Sequence, residues 1–305
     1  MGDRSISDQK LPSYGGQAVI EGVMMRGSQG VAIAMRAPNQ EIVIQTEPLS
    51  GIYKSKIIKI PFLRGLISLW DSLGLGIRAL TTSANIQTGE EEKLEGPVMY
   101  LTLAISLCFG IGLFLLAPAA VGQLGERYLG MNAWWSNLLE GLIRLLLLIG
   151  YIWAVGRIPD IRRVFAYHGA EHKTINAFEA GVELTPDNVA RFPLEHTRCG
   201  TAFLLTLVLL SIIFFSLLGP LPIIWRLVSR IALLPILAGM AYEYIRWTAR
   251  HMDSPVIRLM VKPNLALQSL TTREPSSDML EVSIAAFNAM TAIERSHAQE
   301  NPMSL

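Results

Sequence analysis

Apolar residues along the chain fall into four membrane-length runs, at about 98–121, 138–155, 201–218 and 221–247. Each approaches the twenty or so residues that an α-helix needs to cross a bilayer with its backbone hydrogen bonds closed internally. Pro220, Pro222, Arg226 and Arg230 interrupt the start of the fourth run, so its span is expected to begin near Ile231, behind a short turn. Arg144, early in the second run, is expected to snorkel or to pair with Glu140.

Ahead of these runs the pattern changes. Segments 17–26, 31–37 and 41–47 are rich in Val, Ile and Met and are separated by Ser28-Gln29-Gly30 and Pro38-Asn39-Gln40. They read as strands of a small antiparallel sheet, with 55–60 as a fourth. Within the first strand, Met24 and Met25 read as core. Glu21 and Arg26 read as the exposed positions of a half-buried strand. Residues 61–80 are apolar around most of a helix yet hold Arg64, Asp71 and Arg78. An interfacial helix on the membrane surface fits this pattern, with a fifth span as the alternative. A final amphipathic helix is expected within 281–295.

The organisation is therefore a β-rich domain (1–60), an interfacial helix and linker (61–96), a transmembrane pair (97–155), a loop (156–200), a second pair (201–249) and a tail (250–305). The fold class is a mainly α-helical polytopic membrane protein with about four transmembrane helices and a small N-terminal antiparallel β domain.

Composition agrees: 51% of residues are hydrophobic and 17% charged, against about 25% charged in ordinary soluble proteins. A net charge of +1 with no nucleic-acid signature argues against nucleic acid as a partner. The two cysteines, Cys108 and Cys199, give no disulfide framework and fit a reducing compartment. The first sixteen residues are polar and lack the apolar core of a cleaved signal peptide. Lys and Arg crowd the N-terminal region, the loop 156–200 and the tail, whereas the loop between the first two runs holds only Arg127. Both termini and the long loop are thus expected on the cytoplasmic side of a bacterial plasma membrane or an equivalent internal membrane. Membrane lipid is an expected partner, and a protein partner on the β domain is a further candidate.

The loop 156–200 carries the chemistry. His168-Gly169-Ala170-Glu171-His172 is an H-x-x-E-H match, expected on a helix over 169–180 that ends at Gly181. Histidines four apart share a helix face and can grip one metal ion, with Glu171 placed to act as general base. A third protein ligand is needed. The candidates are His196, Cys199, Glu243, His251 and Asp253, with His196 and Cys199 first because imidazole and thiolate suit zinc. Glu243 could equally be paired with Arg246, three residues on. Cys199 by itself could be packing, Arg198 could hold an anion or a lipid phosphate, and the whole His-Glu-His group could be a solvated helix face. Thr185-Pro186 marks the start of a short helix that could fold the loop back on itself.

Three segments carry a resemblance: Gly15-Gly16-Gln17-Ala18-Val19-Ile20-Glu21-Gly22-Val23-Met24-Met25-Arg26, Tyr167 to Lys173, and Glu195-His196-Thr197-Arg198-Cys199-Gly200. Together they resemble the bacterial membrane-protein family DUF1385, described as predicted metal-dependent enzymes. The resemblance covers most of the chain, leaves out both ends, and implies a multi-pass membrane protein with a metal site.

Two functions follow as expectations. One is a membrane metalloenzyme, a hydrolase of a peptide, lipid or lipid-linked substrate dependent on a divalent metal, zinc first, with His168, His172, His196 and Cys199 as metal residues and Glu171 catalytic. The other is a non-catalytic scaffold or assembly factor whose metal, if any, is structural, which a closed four-ligand site would favour. A transporter ranks third, since the spans hold few charges and no internal repeat is evident.

Overall fold

A computed structural model describes residues 14–49, 60–88, 96–219 and 221–300. The strand expected at 55–60 falls outside these apart from Ile60, as does the linker after Thr88.

The sheet is a four-stranded antiparallel meander: β1 (Gly15–Val19), β2 (Gly22–Arg26), β3 (Gly30–Arg36) and β4 (Ile42–Pro48). The run 17–26, expected as one strand, is two strands. Val19 pairs with Gly22 across a two-residue turn of Ile20 and Glu21. Glu21 takes a left-handed φ of 52° there, which Gly22 behind it gave little warning of. Glu21 is therefore a turn residue, not the exposed position of a strand.

Helices cover both faces of the sheet. On one, Val23, Met25, Ala32 and Ala34 pack against α5 (Pro159–Glu179) and α10 (Ser277–Glu300). On the other, Val19, Met24, Val31, Ile33 and Met35 meet Leu75 and Ala79 of α1 (Leu63–Thr88). This double cover explains why β2 and β3 are buried almost continuously and read as unbroken apolar runs. The helix expected in the tail exists, and it closes the core of the N-terminal sheet.

Among the described residues, three helical stretches are long and apolar enough to cross a membrane: 96–129, Ala133–Val155 and 224–250. The first comprises α2 (Gly96–Ile111), a π-helical turn (Gly112–Leu116) and α3 (Ala117–Leu129); the second is α4. α2 buries none of its residues, leaving Leu101, Ile105, Leu107 and Phe109 outward. After the short α6 (Pro186–Val189) comes α7 (Thr201–Ser216), apolar but only 16 residues long. The last long apolar helix, α8, runs Ile223–Arg250, so Arg226 and Arg230 lie within it and not ahead of it. Ion pairs to Glu126 and Glu140 are what admit them. The bundle thus holds more charge than its sequence suggested. α9 (Pro255–Thr271), unforeseen, packs on α4 and α7 through Leu267, beside Leu148, Ile152 and Leu205. The 61–80 segment is α1, and its Arg64 grips Glu243 of α8.

Candidate metal centre

α5 starts ten residues earlier than expected, with Pro159 in its first turn and Asp160 near its positive end. The motif thus sits mid-helix, where Glu171, His172 and Lys173 are 5%, 1% and 4% exposed. That burial excludes the solvated-face reading. Lys173 does not pair with Glu171; it donates to the Ala190 carbonyl at 2.8 Å and meets Glu274 at 2.6 Å.

Three side chains converge here. His168, His172 and Cys199 place one donor atom each within 4.8 Å of one another. His168 Nε2 lies 3.2 Å from Cys199 Sγ, close to the roughly 3.5 Å that separates N and S donors around a tetrahedral zinc ion. Both imidazoles are held from behind by backbone carbonyls: His168 Nδ1 donates to Thr271 O at 3.0 Å, and His172 Nδ1 to Leu194 O at 2.6 Å. Such bonds fix the tautomer that presents Nε2, the arrangement usual behind metal-ligating histidines. His172 Nε2 is buried without any partner, so a polar atom aimed into the cluster lacks the contact that burial ordinarily demands. These residues fit a divalent ion.

The surroundings are built for close approach. Gly169 lies on the α5 face met by 194 and 273, and a Cβ there would come within 2.8 Å of Leu194 Cδ2. A side chain would push away the segments that supply both carbonyls. Gln268 of α9 sets the 196–199 turn by a two-way clamp, taking the His196 N–H at 2.8 Å and donating to the His196 carbonyl at 3.0 Å. From the sheet, Gly16 of β1 covers Glu171. The β1–β2 turn reaches the same helix, where Glu21 holds Arg163 at 2.5 and 2.6 Å and accepts the Tyr167 hydroxyl at 3.3 Å.

Electrostatics follow from the packing. Burial opposes charge on His168, but its hydrogen bond and Coulomb attraction to Cys199, helped by Glu171, carry its pKa up to about 9. Burial opposes charge on His172 too, but its attraction to Cys199, made without a hydrogen bond of ordinary geometry, and to Glu171 shifts it upward. Burial alone would raise the Cys199 thiol, yet the two histidines bring it well below its usual range. Glu171 is raised by burial, with its carboxylate 4.0 Å from His168 Nε2. Burial lowers His196.

Of the residues expected as ligands, three join the cluster. His196 stands beside it, its ring 5.6 Å from that of His172, with Nε2 turned to Glu179 at 3.9 Å. Glu243 is held by Arg64 and the Phe62 N–H, not by Arg246. His251 bonds the Trp247 carbonyl and stacks on that ring, and the Asp253 carbonyl receives Arg258. Arg198 is paired with Glu179. The two carbonyls, Gln268, Gly16 and Gly169 were not foreseen. The early glycines of the N-terminal segment were the one available signal.

The fold and site define a helical protein with membrane-length apolar segments, a small sheet at one end and a buried His-His-Cys group beneath it. The chain belongs to the family described as protein of unknown function (DUF1385), whose sequence model matches residues 60–293 and so includes most of the C-terminal tail. It is 35% identical over 298 residues to "Uncharacterized protein YqhQ" of Bacillus subtilis (strain 168), covering 93% of each chain. No solved structure matches.

Proposed function

We propose that this protein is an integral membrane metalloenzyme, a zinc-dependent hydrolase acting on a peptide or lipid-type substrate at the cytoplasmic face. The observation that carries the reading is the buried, unpartnered His172 Nε2 beside His168 and Cys199, both imidazoles being oriented from behind by carbonyls. His168, His172 and Cys199 would hold the ion, which as a Lewis acid would polarise a carbonyl or phosphoryl group and make water more acidic. Glu171, whose burial raises its pKa above the usual carboxylate range, would be suited to take a proton from water and pass it to the leaving group. Three protein ligands, with the His196 ring 5.6 Å from that of His172 and outside the cluster, would leave a position for substrate. This favours catalysis over the closed four-ligand site of a structural metal. The distribution of Lys and Arg supports cytoplasmic termini and a cytoplasmic site.

The test is hydrolysis by the zinc-loaded protein in lipid nanodiscs, against a peptide library and a phospholipid panel. Glu171→Gln should retain zinc and lose turnover at least a hundredfold. Equal turnover by the two proteins would remove Glu171 from the mechanism. Absence of wild-type turnover on both substrate sets would return the reading to a scaffold.

A further inference from the structure

A second polar cluster is built into the helix bundle. Glu140 of α4, 1% exposed, accepts Arg144 Nη2 at 2.7 Å and Arg230 Nε at 3.0 Å, and its other oxygen accepts Arg230 Nη2 at 3.1 Å. Arg144 also donates to Ser211 of α7 and to the Phe114 carbonyl in the π-helical turn, where the regular helical ladder is displaced. Nearer the α3–α4 hairpin, Arg226 of α8 pairs with Glu126 and donates to Ser136 Oγ at 3.4 Å. The Phe215 ring faces both Arg144 and Arg230, the latter at 4.3 Å from its centroid.

These charges do not balance. Three guanidinium groups face two carboxyl groups, and Arg226 and Arg230 are 2% and 0% exposed. An uncompensated positive charge within an apolar bundle is costly and calls for a counter-ion. An independent observation points the same way. Asn137, 2% exposed, spends its carbonyl on Arg230 Nη2 at 2.8 Å, while its amide nitrogen is buried without an acceptor. Arg226, too, uses only two of its five N–H groups among the described residues. Spare donors and one excess positive charge thus share the α4–α8 seam. On the outer side of α3 an open groove is lined by Gln123, Leu124, Glu126 and the exposed Arg127, and so meets the buried cluster through Glu126 alone. It sits at the end of two membrane-length helices, the level at which phospholipid phosphates lie.

We infer that this seam binds the phosphodiester of a ligand with net charge −1, with Arg226, Arg230 and the Asn137 amide as donors and Arg127 at the entrance; a zwitterionic diester, whose ammonium cancels that charge, would not offset the excess. A single negative charge matches the excess, and the non-ester oxygens accept from several directions at once. The source is a lipid headgroup or a soluble phosphodiester. Glu126 opposes the anion and limits its affinity.

The experiment uses the full chain, delipidated in detergent. Native mass spectrometry and thermal unfolding are measured with phosphatidylglycerol, phosphatidylcholine and dimethyl phosphate. Phosphatidylglycerol is expected to raise Tm and to be retained at one per chain, at least tenfold more weakly in Arg226→Gln and several-fold more tightly in Glu126→Gln. Asn137→Asp places the missing negative charge inside the fold, so it should melt higher without lipid and lose the response; it also carries the test if Arg226→Gln fails to fold. Dimethyl phosphate matching phosphatidylglycerol would support the site with a soluble source. Equal protection by phosphatidylcholine, no response to either anionic diester, or an unaltered response in Asn137→Asp would overturn the proposal.

Discussion

Gly16→Ala isolates the contact by which the sheet seals the site. The added Cβ would lie 2.7 Å from the Met24 carbonyl oxygen and 2.8 and 2.9 Å from Cγ and Cδ of Glu171. Carbon contacts settle at about 3.5–4.0 Å, so something must yield by most of an ångström. The Met24 carbonyl belongs to the strand paired with β1 and cannot retreat without opening that ladder. Glu171 must give way, at a cost of about 1–3 kcal/mol for overpacking. For a domain of 150–250 residues each kcal/mol moves Tm by about 2–4 °C, so a fall of roughly 2–12 °C is expected by thermal unfolding in detergent. The neighbouring Gly15→Ala is the control: nothing lies within 4 Å of its added Cβ, and it should stay within about 0.5 kcal/mol of wild type. Combining Gly16→Ala with Glu171→Ala should recover part of the loss, since two of the three clashing atoms are gone. Indistinguishable melting of the two single glycine variants would refute the reasoning.

Other outcomes follow from the same geometry. Glu140→Ala strands Arg144 and Arg230 without their shared carboxylate and should cost about 3–5 kcal/mol, read as a larger Tm loss than that of Gly16→Ala; a loss under about 1 kcal/mol would contradict the buried pairing. Glu21→Ala breaks a half-exposed clasp and should cost no more than about 1 kcal/mol, while raising amide exchange in the β1–β2 turn. Zinc must displace the proton that His168 holds up to about 9, so affinity should climb with pH through that value and then level, with proton release seen by calorimetry in buffers of different ionisation enthalpy. For the metal-free fold the same raised pKa has the reverse consequence. Its contribution is full below about 6.5 and is lost as pH rises through about 9.

The long apolar helices were legible because bilayer thickness imposes a length that few other structures share. The His168–His172 pair was legible because a spacing of four fixes a shared helix face. The choice between Cys199 and His196 was not, because the 196–199 turn is set by Gln268, far along the chain. Arg226 and Arg230 looked like interruptions because their partners, Glu126 and Glu140, lie on other helices. The split of 17–26 into two strands escaped notice because Glu21, not a glycine, takes the left-handed turn position, where Arg163 and Tyr167 hold its side chain. Legibility failed wherever long-range packing, and not local pattern, determined the outcome.

The central claim is that His168, His172 and Cys199 hold one metal ion. Elemental mass spectrometry on detergent-purified protein, prepared without chelators, tests it most directly. Close to one zinc per chain is expected in wild type, Glu171→Gln and His196→Ala, and loss of the metal in His168→Ala, His172→Ala and Cys199→Ala. Wild-type protein without stoichiometric metal, even after incubation with zinc, would contradict it.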